Sequence, residues 1–401
     1  MRIIPLADLH SDSNPKHQEK LGRSLDQIME YAAEVKIDYM AIAGDILDSV
    51  QNYKSDTGVE LIHHYLRGFA QLVKYVVITK GNNQHDAPGS VSLLHKLAPN
   101  ILAFEDPVSL AFYETGIYQG KPEIKYVDLL REEPAKIIQD GVMPEIIFNM
   151  MPYPNKAMLV KEQSIDENNF DYGAAFDGLM DVFGLLNDRY SCAKIMAAHL
   201  NVQGARISTG QSIKGQDIII SPLSLMRAKA NYYALGHIHL AQDITPIMGY
   251  LGCPYNKSWG EIEQKYFTVL NIEGGAVIPE HIPLIAARPM VDVTAEFKDG
   301  KFVYENHIPK NAEVRFKYTI PENEKNLITE EKEAEIRQIF GEDVKIDPTV
   351  IPVQRESRSE AIMEARNLLE EVKEYGKVTG EEITRSIEKK IFEAETAEAE
   401  G

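Results

Sequence analysis

Ile3-Ile4-Pro5-Leu6-Ala7-Asp8-Leu9-His10 is an apolar run that stops on a carboxylate and an imidazole. The same pattern recurs down the chain. Residues 39–43 (Tyr-Met-Ala-Ile-Ala) run into Gly44-Asp45-Ile46-Leu47-Asp48, and residues 75–79 run into Lys80-Gly81-Asn82-Asn83-Gln84-His85-Asp86. Residues 195–198 run into His199, and residues 232–235 into Gly236-His237-Ile238-His239. Short apolar runs bounded by turn residues read as buried strands. Leu21, Leu25, Ile28, Met29 and Ala32 recur at helical spacing between the first two, and residues 61–72 are helical again between the second and third. Strand–helix–strand units of this kind predict a layered α/β domain. Ligands of open α/β sheets sit beyond the carboxyl ends of the strands, and here five such ends carry Asp, His or Asn.

Residue types at those ends narrow the chemistry. Asp8 and His10, and His237 and His239, are spaced i, i+2, so both members of a pair can enter one site once the strand breaks. Asp8, His10, Asp45, Asn82, His199, His237 and His239 are hard and borderline donors suited to divalent ions such as Mn²⁺, Fe²⁺ or Zn²⁺. A two-oxygen carboxylate such as Asp45 can bridge two ions, and a metal pair can activate a water and clamp a phosphoryl oxygen. Glycines before Asp45, Asn82 and His237 permit tight turns and close approach of a phosphate. His17, His63, His64, His95, His281 and His307 lack such context and read as structural or exposed. Asp48 reads as a turn residue or a neighbour of the ligands, and Asp12 as a helix cap.

Composition bounds the rest. The 401 residues are 44% hydrophobic and 26% charged, which excludes a largely disordered chain and suggests two or three domains. A net charge of −19 argues against coating nucleic acid by bulk charge, but a cleft with metal ions and a few cations can still hold DNA. Lys54, Lys80, Arg206, Lys214 and Lys257 lie near the site loops and are the candidate phosphate contacts. Apolar runs fall far short of the roughly 20 residues of a membrane helix. Asp8 interrupts any signal-peptide core, and Cys192 and Cys253 make neither a metal spacing nor a disulfide framework. A cytoplasmic protein without a membrane anchor is the expectation.

Beyond Gly249 the pattern turns to strand and turn, with residues 265–272 leading into Glu273-Gly274-Gly275, a hairpin signal. Composition shifts at Ala286-Ala287-Arg288-Pro289. Residues 290–351 read as a small α+β domain with strands at 291–297 and 314–320 and a helix at 330–340. The acidic tail carries two apolar stripes, Ile362, Ala365, Leu369 and Val372, then Ile383, Ile387 and Ile391. Gly376 is expected to end the first helix and Thr379-Gly-Glu-Glu382 to cap the second.

Asp8-x-His10, Gly44-Asp45, Gly81-Asn82, His199 and Gly236-His237-x-His239 resemble the motif series of the calcineurin-like metallophosphoesterases. Tyr232-Tyr-Ala-Leu-Gly-His237-Ile-His239, Tyr250-Leu-Gly-Cys-Pro254 with Trp259-Gly-Glu261, Met151-Pro-Tyr-Pro154 and the 314–320 strand narrow the resemblance to the SbcD/Mre-type DNA repair nucleases. It covers roughly residues 1–350. It implies a two-sheet α/β/β/α sandwich over residues 1–287, a capping domain that shapes a DNA groove over 288–353, and a C-terminal helical tail over 354–401. It implies Asp8, His10, Asp45 and His239 on one ion and Asp45, Asn82, His199 and His237 on the other. Mn²⁺ comes first among the ions, with Fe²⁺ or Zn²⁺ as alternatives. It implies an exo-/endonuclease in DNA repair and recombination. Its partners would be DNA, an SbcC/Rad-type ATPase docked on the tail helices, and a second copy in a homodimer.

One departure from the family pattern matters. The family reads Gly-Asn-His, with the imidazole acting as acid toward the leaving oxygen; here Gly81-Asn82 is followed by Asn83-Gln84-His85. Either His85 still reaches the site or Asn83 has replaced the acid, and a neutral amide would forfeit about 10²–10⁴-fold of general acid catalysis. The reading favours His85. Two rivals stand beside the nuclease: a phosphatase or phosphodiesterase for small substrates, and a catalytically weakened scaffold protein.

Overall fold

All five apolar runs are strands, and successive side chains along each enter different cores. Met40 and Ile42 pack with two helices, whereas Tyr39, Ala41 and Ala43 face the other way, into a layer shared with a second sheet. The computed structural model describes residues 1–50, 56–118, 121–133, 142–155, 158–159, 171–208, 218–298, 300–305, 308–351, 368–380 and 383–391. The chain divides into two units, one of Met1–Asp292 with His307–Arg315 and the other of Val293–Asn306 with Phe316–Gly401.

The first unit holds two large sheets. One contains β1 (Arg2–Leu6), β2 (Tyr39–Ala43), β3 (Tyr75–Thr79), β4 (Ile101–Phe104), β14 (Tyr266–Glu273) and β15 (Ala276–Pro283), in the order β15-β14-β1-β2-β3-β4. β1 to β4 are parallel, which the crossovers through the Pro15–Glu34 and Asp56–Leu72 helices make possible. β14 and β15 form a hairpin in which Gly274 and Gly275 both take positive φ, 57° and 86°, the two-residue turn that the glycine pair signalled.

The other sheet contains β5 (Val108–Tyr118), β6 (Lys121–Asp128), β7 (Ile146–Met151), β8 (Ala193–His199), β11 (Tyr232–Gly236), β12 (Gln242–Thr245) and β13 (Met248–Tyr250), in the order β12-β13-β11-β8-β7-β5-β6. β9 (Asn201–Val202) and β10 (Ile219–Ile220) pair separately. Ile3, Tyr39, Ala41 and Val77 share one apolar layer with Phe112, Phe148, Ile195 and Ala234, so the sheets pack face to face. Leu25, Ile28, Tyr65 and Phe69 cover the outer face of the first sheet. Phe176, Met180 and Phe183, on the Tyr172–Asn187 helix, cover that of the second. The unit is thus a mixed α/β sandwich with helices outside two sheets. Burying each large apolar side chain is worth about 1.5–3 kcal/mol, and residues that are inert on both faces leave only the strand ends for chemistry.

The second unit is built on β16 (Met290–Lys298), β17 (Lys301–Tyr304), β18 (Glu313–Pro321) and β19 (Lys345–Ile351), in the order β17-β16-β18-β19. The helix at Glu330–Phe340 opens with Glu330, Glu331 and Glu333, which complement the positive end of its dipole, and ends at Gly341 with φ 101°. Phe297, Phe302, Tyr304, Phe316 and Tyr318 join Phe340 in an aromatic layer with ring centroids 4.9–6.3 Å apart.

Some local expectations change. Gly376 does not end its helix, which spans Leu368–Thr379, and the next begins after Thr384, whose carbonyl accepts from Ile387 N and Glu388 N. Asn14, not Asp12, caps the first long helix, accepting from Lys16 N. The tail residues Ile362 and Ala365 lie outside the described residues, as do Lys54, Lys214 and His307. Among the described residues no helix is long and apolar enough to cross a membrane.

Candidate metal centre

Where the strands of the sandwich end, the backbone turns sharply. Among the described residues, six non-glycine residues have positive φ, and four of them are Asp8 (53°), His10 (43°), Asp45 (50°) and His237 (97°). Each such residue costs on the order of 1–3 kcal/mol, and strain of this sort gathers at functional sites. The glycines are obligatory for a different reason. A Cβ on Gly81 would collide with the backbone nitrogen and the carboxylate of Asp45. A Cβ on Gly44 would stand 2.5 Å from Gly81 Cα, and one on Gly236 would strike the Ala43 carbonyl.

These turns converge on Asp45. Its Oδ2 lies 3.2 Å from His199 Nε2, 3.8 Å from His10 Nε2 and 3.8 Å from His85 Nε2. Asn82 donates to it through N (2.9 Å, to Oδ1) and Nδ2 (3.1 Å, to Oδ2). His10 Nε2 and His239 Nε2 approach to 2.8 Å. Asp8 accepts from His237 N through both oxygens, at 2.9 and 3.1 Å, and its Oδ1 lies 3.9 Å from His199 Nδ1. The His199 and His237 rings are 5.4 Å apart, with Tyr153 5.5 Å from His237. Among the described residues three ligand sets have donor atoms within 4.8 Å of one another: Asp8, His10 and Asp45; Asp45, His199 and His237; and His10, Asp48 and His85. Asp45 is common to the two fully buried sets.

Electrostatics follow from burial and mutual charge. Burial pushes the Asp8 carboxyl up to about 7, against the opposing pull of His199. Burial acts on Asp45 in the same sense, but His199, His85 and His237 outweigh it and hold Asp45 down at about 2. His199 goes the other way: burial disfavours its charge, yet Asp45 and Asp8 raise it to about 9. Burial and neighbouring cationic groups keep His10 well below its ordinary value and take His239 to about 3. The neutral imidazoles of His10 and His239 beside the ionised Asp45 carboxylate are in the forms that bind metal, whereas His199 must give up a proton to do so. Among the described residues His10 Nδ1 is buried and without a hydrogen-bond partner. The donor set, its burial and this unsatisfied nitrogen fit one or two divalent cations.

The structure brings together every sequence-derived ligand candidate. Asn82 meets the centre through its amide nitrogen, since Oδ1 accepts from Gln84 N; presenting the oxygen requires the amide to turn over. His85, rather than Asn83, reaches Asp45. His85 Nδ1 is bonded to the Asp48 carbonyl, whereas Asn83 is exposed and its Oδ1 accepts from Lys80 Nζ. Of the described cations, Lys80 is buried, Lys257 pairs with Asp48, and Arg206 is exposed. His17 bonds Asp12 at 2.7 Å, away from the ligands.

Asp86 went unassigned in the sequence. It is fully buried and accepts from Gly81 N (2.7 Å), Asp45 N (3.0 Å) and Ile46 N (3.1 Å), tying two strand-end loops together. Its signal is its spacing, because a residue four after Asn82 can fold back on one helical turn, and Asp86 N donates to Asn82 O. Glu261 is the second such residue. Also fully buried, it pairs with Lys265 at 2.8 Å and accepts from Ser258 N at 3.1 Å.

No protein-family model matches the chain. The SbcD component of the SbcCD nuclease of Rhodobacter capsulatus is 24% identical to it over 315 residues, covering 74% of this chain and 72% of that protein. The chain is therefore a distant relative of an SbcD-type nuclease component. Among solved structures, GAP50, the anchor in the inner membrane complex of Plasmodium, matches with 11% identity and a TM-score of 0.38, over 88% of this chain and 97% of that one.

Proposed function

We propose that this chain is a two-metal-dependent DNA nuclease of the calcineurin-like metallophosphoesterase type, the SbcD-type component of a repair and recombination complex with an SbcC-type ATPase. The convergence of His10, Asn82, His85 and His199 on the buried Asp45 carboxylate carries the reading. The distant relative supports it, being part of a nuclease whose name includes a second component.

In this reading Asp8, His10, Asp45 and His239 hold one ion, and Asp45, Asn82, His199 and His237 the other, with Mn²⁺ ahead of Fe²⁺ or Zn²⁺. Bound divalent ions supply Lewis-acid stabilisation of the phosphoryl oxygens and a more acidic water. The chain's own residues do the rest. Asp45 holds the two ligand sets at a common carboxylate, and Asp86 keeps its loop in place. His85, anchored through Nδ1, turns Nε2 to the centre and delivers its proton to the departing 3′ oxygen of the DNA strand. Arg206 is the exposed cation for a DNA phosphate; such contacts position the backbone without reading sequence. Residues 1–287 form the nuclease domain, 288–353 the capping domain and 354–401 the ATPase-binding tail of a cytoplasmic homodimer.

Incubating the purified chain with Mn²⁺ and linear duplex DNA tests this. End degradation is expected, with His237→Ala inactive. A fully active His237→Ala protein would refute the ligand assignment, and turnover of a small aryl phosphodiester without any DNA cleavage would move the substrate assignment to small molecules.

A further inference from the structure

Lys257 sits in a segment held rigid from within. Glu261 accepts from Lys257 N (3.4 Å) and Ser258 N (3.1 Å), and Asn256 Nδ2 donates to the Glu261 carbonyl at 3.0 Å. Two residues before Lys257, the Tyr255 hydroxyl donates to the His10 carbonyl at 3.1 Å. The Lys257 backbone is thereby tied to that of a candidate ligand. Its side chain is 15% exposed, and its ammonium bonds directly to Asp48 Oδ1. A cation taken this far out of water needs a carboxylate partner.

That partner is engaged elsewhere too. Asp48 Oδ1 faces His10 Nδ1 at 3.5 Å, the buried nitrogen that has no hydrogen-bond partner among the described residues. The Asp48 carbonyl receives His85 Nδ1. One residue thus stands behind two imidazoles, and both turn Nε2 toward Asp45, each at 3.8 Å.

We propose that Lys257 is a positioning residue of this centre: paired with Asp48, it holds that carboxylate against His10, so that the His10 proton resides on Nδ1 and Nε2 presents its lone pair toward His239 and Asp45. The inference rests on the metal-ligand reading of His10, and it replaces the sequence-derived role of Lys257 as a phosphate contact. A histidine ligand is fixed in tautomer and ring orientation by what its other nitrogen donates to. An unpaired ammonium beside Asp48 and His10 would repel a divalent ion, whereas the Lys257–Asp48 pair is neutral as a whole. A lysine that contacts phosphate must have its ammonium free, and this one is bound.

Two readouts test the assignment. In the metal-free protein, nitrogen-15 chemical shifts of the His10 ring, assigned by difference with His10→Gln, should report an Nδ1-protonated ring in the parent chain. In Lys257→Met they should report a mixture of tautomers. Titration with Mn²⁺ alone should show affinity weakened about 10–100-fold in Lys257→Met and in Asp48→Asn. Lys257→Arg should retain most of the affinity. Lys257→Met/Asp48→Asn should bind no more weakly than the worse single variant, because the two act through one contact. Unchanged tautomer and unchanged Mn²⁺ affinity in Lys257→Met overturn the proposal. So does a raised KM for bis(p-nitrophenyl) phosphate at unchanged Mn²⁺ affinity, which makes Lys257 a phosphate contact after all. If the parent chain binds no Mn²⁺, the metal reading fails, and the His10 tautomer comparison still decides the role of Lys257.

Discussion

The loops around Asp45 and the aromatic layer around Phe316 both hang from β-strands with alternating faces, and they differ in what is buried. In the first unit, Asp8, Asp45, Asp86 and His199 are at most 2% exposed, Asp8 and Asp45 take positive φ, and Asp45 lies within 3.2 Å of both His199 and Asp86. In the second, β18 alternates buried and half-buried residues, and its buried side there is Phe316, Tyr318 and Ile320. One region loses stability to charge burial and backbone strain; the other gains it from ring packing. A large double-sheet core can tolerate the former, because its strands are sealed on both faces and only their ends deviate. The lesson is that local instability marks the chemistry, and regular packing marks the scaffold.

Breaking the contrast from the site side should give the largest effect. Gly81→Ala drives a methyl group into Asp45. Mn²⁺ binding and diester turnover should be lost together, with a stability cost of about 1–3 kcal/mol for overpacking, read by calorimetric titration and urea melts. Breaking it from the scaffold side comes next. Phe316→Ala should destabilise by about 3–5 kcal/mol in denaturant titration while leaving Mn²⁺ affinity of the folded protein unchanged. Loss of metal binding in that variant would mean the two regions are not energetically distinct.

Smaller changes sharpen the comparison. Asp86→Asn replaces an acceptor oxygen by a donor opposite backbone N–H groups, and should cost about 1–3 kcal/mol of stability along with weakened Mn²⁺ binding. Stability lost without any change in binding would reduce Asp86 to a structural brace. Val303→Thr, on an exposed position of β17, should shift stability by no more than about 0.5 kcal/mol. A larger change would show that this face of the sheet is covered in solution.

Much of this molecule was legible in its residues. β1, β2, β3, β8 and β11 announced themselves as short apolar runs, and the Glu330–Phe340 helix and the Gly274-Gly275 hairpin matched their local signals. β5 and β6 pair with each other as a local hairpin, yet did not stand out, because their polar residues blur the alternation. The Tyr172–Asn187 helix was hidden for the opposite reason. It is apolar on nearly every side, so it carries little amphipathic contrast to detect.

The site divides along the same line. Residue type and position at strand ends by themselves selected Asp8, His10, Asp45, Asn82, His199, His237 and His239, since donor chemistry is a property of the side chain and a strand end is a local event. Only the tertiary structure decided that His85 rather than Asn83 turns toward Asp45, that Asp86 joins two loops from within, and that Lys257 pairs its charge with Asp48. Those outcomes depend on backbone turns and on distances between residues up to about two hundred positions apart in the chain. No pattern along the sequence encodes such distances until the sheets have packed.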